Sequence, residues 1–410
     1  MSSFKKRDDA LRANKDFIEE AKKLNELYPV CDGHNDLPWC MRNMKPAGPP
    51  RLNGWDLSIN HKGKIYDGPG HGCLHTDLAR LHQGGVGWQF WSVYTPASEQ
   101  GPIAIQYTLE QIDFVKRMIE KYPDHLAFAK TSKDIEEIFE ERRNNNNGKR
   151  RIACMMGMEG GHQINASMGT LRMMYNLGVR YMTLTHNGGP GWADAALDVK
   201  GNFLKEAPLN GLTDYGRQIV YEMNRIGMLV DLSHVHPITM KAALKCTRSP
   251  VIFSHSSSRA LCDHPRDVPD DVLELVKSNG GVVMVTFVSS FIAGKFWVRG
   301  GKVGATVIEV ADHIDHIKNL IGINHVGVGG DLDGCDDLAR GLEDAAGYPN
   351  LTAELLYRGY TAEDISKINS NNLIRVLKEA EEVKAQMKEE GCEPSEALFQ
   401  PTATDEVDTA

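Results

Sequence analysis

His34 and Asp36 stand one residue apart in the run Val30-Cys31-Asp32-Gly33-His34-Asn35-Asp36-Leu37-Pro38. Alternate side chains of an extended strand share a face, so this imidazole and carboxylate project together while Asn35 points away. At the end of a buried strand such a pair is half a site for a divalent metal. The same residue types recur down the chain. Glu159 lies in Met158-Glu159-Gly160-Gly161-His162, His186 in Thr183-Leu184-Thr185-His186-Asn187 and His234 in Asp231-Leu232-Ser233-His234. His255 lies in Phe253-Ser254-His255-Ser256, and Asp331 and Asp333 in Gly329-Gly330-Asp331-Leu332-Asp333-Gly334. The three imidazoles and two carboxylates of His34, Asp36, Glu159, His234 and His255 suit two Zn²⁺ ions, with a carboxylate able to bridge them. Paired metals about 3.5–4 Å apart generate hydroxide near neutral pH and polarise a carbonyl. His186 and Asp331 are then left as hydrogen-bond donor and proton carrier. A serine nucleophile is not indicated, because Ser254 and Ser256 flank His255 without a Gly-x-Ser-x-Gly elbow.

Taken singly, each residue has an ordinary explanation. A histidine at a strand end is more often a hydrogen-bonded structural residue than a ligand, and Asp333-Gly334 alone reads as a turn. His162, His236 and His264 lie past their strand ends and are read as structural or solvent-exposed. The recurrence at one topological level is what carries the argument.

The elements that must position these residues alternate. Strands are predicted at Val30, Gly87–Thr95, Arg151–Gly160, Val179–His186, Met228–His234, Pro250–Ser256, Gly281–Phe287 and Val326–Asp331. Helices are predicted near 107–122, 132–143, 166–177, 213–226, 237–246, 270–278, 305–320 and 362–388. Runs such as Val282-Val283-Met284-Val285-Thr286 are apolar nearly throughout, as in parallel strands covered on both faces. Eight strand–helix units fit a (β/α)₈ TIM-type α/β barrel better than an open sheet, and chemistry in such barrels gathers where the strands end. Six of the eight predicted strands end in His, Asp or Glu. The division is an N-terminal helical extension over 1–28, the barrel with extra C-terminal helices over 29–390, and a disordered acidic tail over 391–410. Pro46 to Gly72 reads as a long loop, and Asn144 to Asn147 as a short polar one.

The 410 residues are 41% hydrophobic and 25% charged, an ordinary globular composition. A net charge of −9 gives no basic face for nucleic acid. Eight scattered cysteines without a Cys-x-x-Cys pair read as thiols of a reducing compartment. Lys5-Lys6-Arg7 is not followed by the apolar run of a secretory signal, and no segment is long and apolar enough to span a bilayer. The expectation is a cytoplasmic protein with neither membrane nor nucleic-acid partner.

The blocks Asp32-Gly-His-Asn-Asp-Leu-Pro38, Gln89-Phe-Trp-Ser-Val-Tyr94, Gly157-Met-Glu-Gly-Gly-His162, Thr183-Leu-Thr-His-Asn187, Asp231-Leu-Ser-His-Val235, Ser254-His-Ser256 and Gly329-Gly-Asp-Leu-Asp-Gly334 resemble the membrane (renal) dipeptidase family, in order. The resemblance implies an amidohydrolase-like barrel with a binuclear zinc centre, a homodimer, and hydrolysis of dipeptides. By it, His34 and Asp36 hold one zinc, His234 and His255 the other, and Glu159 bridges them. His186 binds the substrate carbonyl oxygen, Arg266 grips the substrate carboxylate, and Asp331 passes the proton to the leaving amine. Without the resemblance, Arg266 reads as a surface salt bridge. Secreted members join two cysteines at positions that here are Ala97 and Gly188, so both partners are missing together. Two rival readings remain: another binuclear amidohydrolase acting on lactams or cyclic amides, and a non-catalytic metal-binding barrel.

Overall fold

Nine parallel strands carry the fold in the computed structural model, which describes residues 14–44, 48–66, 74–144, 150–293 and 304–401. They are β1 (Val30–Asn35), β2 (Val86–Tyr94), β3 (Leu126–Phe128), β4 (Ile152–Glu159), β5 (Val179–Thr183), β6 (Leu229–Asp231), β7 (Ile252–Phe253), β8 (Val282–Val285) and β9 (Val326–Val328). Eight of them close a ring. β1 pairs with β2 and β9, β2 with β4, and from β4 onward each strand pairs with the next. The (β/α)₈ barrel is therefore present. β3 is an addition that sequence periodicity missed, since three residues are too few to display a period. It pairs with β4 from Leu126↔Ile152 to Phe128↔Cys154, on the edge that β5 occupies from Met156 onward.

Alternation along the strands sorts two cores. Trp88, Phe90, Ala153, Met155, Tyr181, Leu229, Ile252, Val282 and Met284 fill the barrel interior, joined by Leu373, Val376 and Leu377 of the helix Asn372–Glu389. Val93, Cys154, Met156, Met158, Val283 and Val285 pack outward beneath the surrounding helices. Glu159 falls in phase with Ala153 and Met155, so the period of two sends it inward. Gly157 shares that face, and a Cβ there would collide with the Tyr181 ring. Its bare backbone is what lets the tyrosine cross the interior toward His34.

The expected helices form with local reasons. Thr213 caps Asp214–Ile226, and Thr306 with Glu309 makes a capping box for Val307–Ile321. Pro237–Cys246 begins on a proline whose missing N–H costs nothing in the first turn. Besides the single turn Ser289–Ile292, three longer helices among the described residues were not anticipated: Leu37–Asn43, Leu78–Gly84 and Tyr348–Tyr357. Two of them carry an early proline, and the other is a short one between the Asp77 cap and left-handed Gly85. The N-terminal helix spans Ile18–Leu27 after a 3₁₀ turn, and residues 8–13 of the expected helix lie outside the described residues. Its buried Asn25 donates to Gly84 O and accepts from Thr352 and Asn369, which fastens the extension to the barrel. Of the expected loop, residues 48–66 contain no helix or strand and 46–47 and 67–72 lie outside the described residues, as do 145–147 of the polar tract.

The expected tail behaves differently over its described part. Residues 392–401 have no regular structure, yet Ser395 N and Oγ donate to Glu222 and Gln218, and Phe399 packs 5.4 Å from the Tyr215 ring. This stretch is laid against Asp214–Ile226 instead of hanging free.

Candidate metal centre

Every residue singled out as a metal ligand arrives at one rim of the barrel. His34 lies in β1 with Asp36 one residue beyond it, Glu159 ends β4, and His234 and His255 follow β6 and β7 within three residues. Glu159 is the meeting point. Its Oε2 is 3.5 Å from His34 Nε2, which is itself 3.1 Å from Asp36 Oδ2. Its Oε1 is 3.0 Å from His234 Nε2 and 3.3 Å from His255 Nε2. One carboxylate thus turns an oxygen to each of two donor groups. Ligand atoms of His34, Asp36 and Glu159 lie within 4.8 Å of one another, as do those of Glu159, His234 and His255. A third group, His34, His255 and Asp331, meets the same limit and brings Asp331 within reach of both halves.

The donor set fits a divalent metal pair. Buried polar atoms without partners are expensive, and here Asp36 Oδ1 has none, while His34 Nε2 makes no hydrogen bond although carboxylate oxygens of Asp36 and Glu159 stand close to it. The Nε2 atoms of His234 and His255 face each other at 3.0 Å, where only one proton could separate them. Convergent imidazole nitrogens and carboxylate oxygens are the ligand types of a divalent metal such as Zn²⁺. The backbone is held for this purpose. His234 (φ 67°), Asp331 (φ 59°) and Asp333 (φ 63°) all take left-handed conformations that non-glycine residues adopt at a cost of about 1–3 kcal/mol. Gly334 completes the packing, since a Cβ there would sit 2.5 Å from Asp331 Oδ1 and still closer to Asp36 Oδ2.

Burial would lower the His34 imidazolium, but Tyr181, Glu159 and Asp36 beside it together hold its pKa well above the usual value. His234 and His255 go the other way, pushed well below it by burial, with the Arg266 charge adding to the effect. Burial also depresses His186, so that ring is neutral and able to donate. Asp331 is pushed up to about 7, first by burial and then by the neighbouring Asp36 and Glu159 charges. A carboxyl poised there can both take and give a proton.

A cavity of about 440 Å³ opens over these groups, with Trp39, Tyr94, Leu197 and Phe291 on its walls. That is the size range of small-ligand pockets. Arg266 lines it too and corrects the surface-salt-bridge alternative. It is 2% exposed, its guanidinium donates to Ser256 Oγ and His255 O, and its Nε has no partner. Among the described residues no carboxylate lies within ion-pair distance of it. His264 accepts from Arg266 N and stacks on Phe291, over which the guanidinium sits at 5.4 Å. His162 and His236 are structural, bonded to Thr95 O and Ile238 N respectively. Asp333 holds His75 through a reciprocal pair of hydrogen bonds.

Sequence reading gave no role to Tyr94, Asp32 or Asp231. Tyr94 ends β2, so the strand-end rule already pointed to it; burial raises its phenol far above the usual range and keeps it protonated. Asp32 and Asp231 each precede a ligand histidine by two or three residues, which was the signal available. Ala97 and Gly188 prove to be neighbours: a Cβ on Gly188 would lie 3.8 Å from that of Ala97, the spacing typical of a disulfide, about 3.8 Å.

A parallel eight-stranded barrel with paired donor groups at its C-terminal rim is the architecture of a metal-dependent hydrolase. Residues 18–391 match the family model described as membrane dipeptidase (Peptidase family M19), and the chain belongs to that family. It is a peptide-bond hydrolase. Dipeptidase 3 of Rattus norvegicus is 38% identical over 93% of this chain and 70% of its own length. Dipeptidase verJ of Clonostachys rogersoniana is 40% identical over 94% of this chain and 92% of its own. The fold is shared with the probable dipeptidase PvdM of Pseudomonas aeruginosa (TM-score 0.75, 20% identity, 90% of this chain and 99% of that one). It is also shared with a metallo peptidase of Rhodobacter sphaeroides liganded with a phosphinate mimic of L-Ala-D-Ala (TM-score 0.69, 23% identity, 86% and 99%).

Proposed function

We propose that the chain hydrolyses the peptide bond of free dipeptides with two Zn²⁺ ions, His34 and Asp36 holding one, His234 and His255 the other, and Glu159 both. Metal-dependent dipeptide hydrolysis is the activity of the family. What supports the proposal is the orientation of Glu159, with Oε2 toward His34 and Oε1 toward His234 and His255. When bound, such a pair supplies an activated water near neutral pH and polarises the scissile carbonyl.

The chain's own residues do the rest. His186, neutral and lining the cavity, donates to the carbonyl oxygen as it gains charge. Asp331 takes the proton of the attacking water and returns it to the leaving amine. Arg266, buried without a carboxylate partner, pairs with the C-terminal carboxylate of the substrate, which both orients it and favours free dipeptides over amides. A cytoplasmic location is part of the reading, supported by the missing sulfur at the facing positions Ala97 and Gly188. No helix among the described residues is long and apolar enough to cross a membrane. A homodimer is the assembly proposed, to be checked by light scattering. The test of function is a substrate panel with and without chelator: free dipeptides cleaved only with metal present. Preferential cleavage of lactams, cyclic imides or N-blocked amides would overturn the assignment.

A further inference from the structure

His255 faces the centre through Nε2, and a chain of hydrogen bonds stands behind the ring. Its Nδ1 is 2.8 Å from Ser254 Oγ, and that hydroxyl is 2.6 Å from Asp231 Oδ2. All three residues are buried. The direction of each bond follows from counting protons. Asp231 Oδ1 accepts from the backbone N–H of Ser233 at 3.1 Å and of Ser254 at 2.8 Å. Oδ2 accepts from the Thr183 hydroxyl at 2.5 Å as well as from Ser254. Four donors aimed at one carboxylate leave it an acceptor only. The single Ser254 hydroxyl proton is therefore committed to Asp231, and Oγ offers His255 a lone pair. Nδ1 must then carry the ring proton, which leaves the lone pair of a neutral imidazole on Nε2. The ring nitrogen free for a metal is set by the bond the other one makes.

We propose that Asp231, acting through Ser254, is a positioning residue that locks His255 in the Nδ1–H tautomer and so presents Nε2 as a ligand. The proposal rests on His255 being a metal ligand. β1 has no carboxylate behind its ring. There the partner of His34 Nδ1 is the Tyr181 hydroxyl at 2.8 Å, which donates its proton to the neutral carbonyl of Gly33 at 3.1 Å, a weaker anchor than Asp231.

The relay makes a prediction that simple packing does not. In D231N the amide oxygen must stay on the two backbone N–H groups, so its NH₂ faces Thr183 and Ser254. The NH₂ now donates to Ser254, the serine proton turns to His255, and the ring is forced into the Nε2–H form. Its shape is kept while the polarity of the chain is reversed. In S254A the chain is only cut, and in T183V it is left intact with one acceptor contact fewer.

The experiment measures ¹⁵N shifts of the His255 ring in the metal-free protein and the dissociation constants of both zinc equivalents by competition with a chelating dye. Wild type and T183V are expected to show Nδ1–H, and D231N to show Nε2–H. The second zinc should bind about 100-fold more weakly in D231N and about ten-fold more weakly in S254A, with T183V within a few-fold, since outer-shell losses typically run 10–100-fold. An unchanged tautomer in D231N, or equal losses in S254A and T183V, would overturn the proposal. If D231N does not fold, the comparison of S254A with T183V decides alone. A protein that binds no zinc would bring down the metal reading, while the tautomer in the metal-free chain would still report on the relay.

Discussion

The β1 half of the centre and the β6–β7 half are built by different rules. In the β1 half the two donors are two residues apart, His34 in the strand and Asp36 just past its end, where the strand register shifts between Asp32 and Asn35. Across β6 and β7 the donors come from two strands, and one of them, His234, holds a left-handed backbone. Each half has a buried aspartate behind it, used differently. Asp32 accepts from His34 N, Gly330 N and the Tyr348 hydroxyl, binding the end of β1 to that of β9. Asp231 binds β6 to β5 and β7 and also reaches a ligand ring through Ser254. A local donor pair needs its strand held in place, whereas a pair assembled from two strands also needs its rings oriented. Glu159 is the one ligand both halves share.

That contrast can be broken most severely at Glu159. Glu159→Ala is expected to lose both metals and all activity above background, while His34→Ala and His255→Ala each retain about one equivalent, because a lost ligand opens its own coordination sphere first. Elemental analysis reads the result, and two metals retained in Glu159→Ala would refute the shared-ligand account. Next comes Asp331, placed between the halves. Asp331→Asn should keep both metals and lower kcat by about 10²–10⁴-fold with little change in KM, as for loss of a general acid–base group. Loss of metal instead would make Asp331 a ligand, a role its nearness to His34 and His255 allows.

Outside both halves, Arg266→Ala should lower kcat/KM for free dipeptides by about ten- to a hundred-fold, from roughly 1.5–3 kcal/mol for a charge-assisted hydrogen bond. C-terminal amides should lose much less, and equal losses would remove Arg266 from carboxylate recognition. Smaller still is Tyr181→Phe on the β1 side. One neutral hydrogen bond, about 0.5–1.5 kcal/mol, bounds the drop in zinc affinity at roughly ten-fold or less. A larger drop than in S254A would reverse the proposed order of the two halves. Last, a thiol reductant that does not strip metal should leave activity unchanged, and marked inactivation would show that a disulfide matters.

Much of the site could be read from the sequence because its residues obey local rules. Glu159 follows from strand period, and His34 and Asp36 from their place at a strand end. His234, His255 and Asp331 lie up to three residues past strands that proved shorter than predicted, such as Ile252–Phe253 and Val326–Val328. The level was legible there but not the turn that aims each side chain, since a left-handed φ at His234 or Asp331 has no marker in residue type. The braces were not legible either. Asp32 and Asp231 look like ordinary strand residues until the chain closes and brings Gly330 and Ser254 to them. Arg266 was ambiguous for the same reason, because a buried guanidinium and a surface one are spelled alike. β3 and the three short helices escaped because they are too brief to show periodicity or begin near prolines.

The central claim is that the halves act as one centre through Glu159, and a metal titration tests it most directly. Metal-free protein is supplied with zinc in steps, and dipeptide hydrolysis is followed against bound equivalents. The account predicts little activity through the first equivalent and a rise to full activity only as the second binds. Full activity at one equivalent, with no gain from the second, would contradict it.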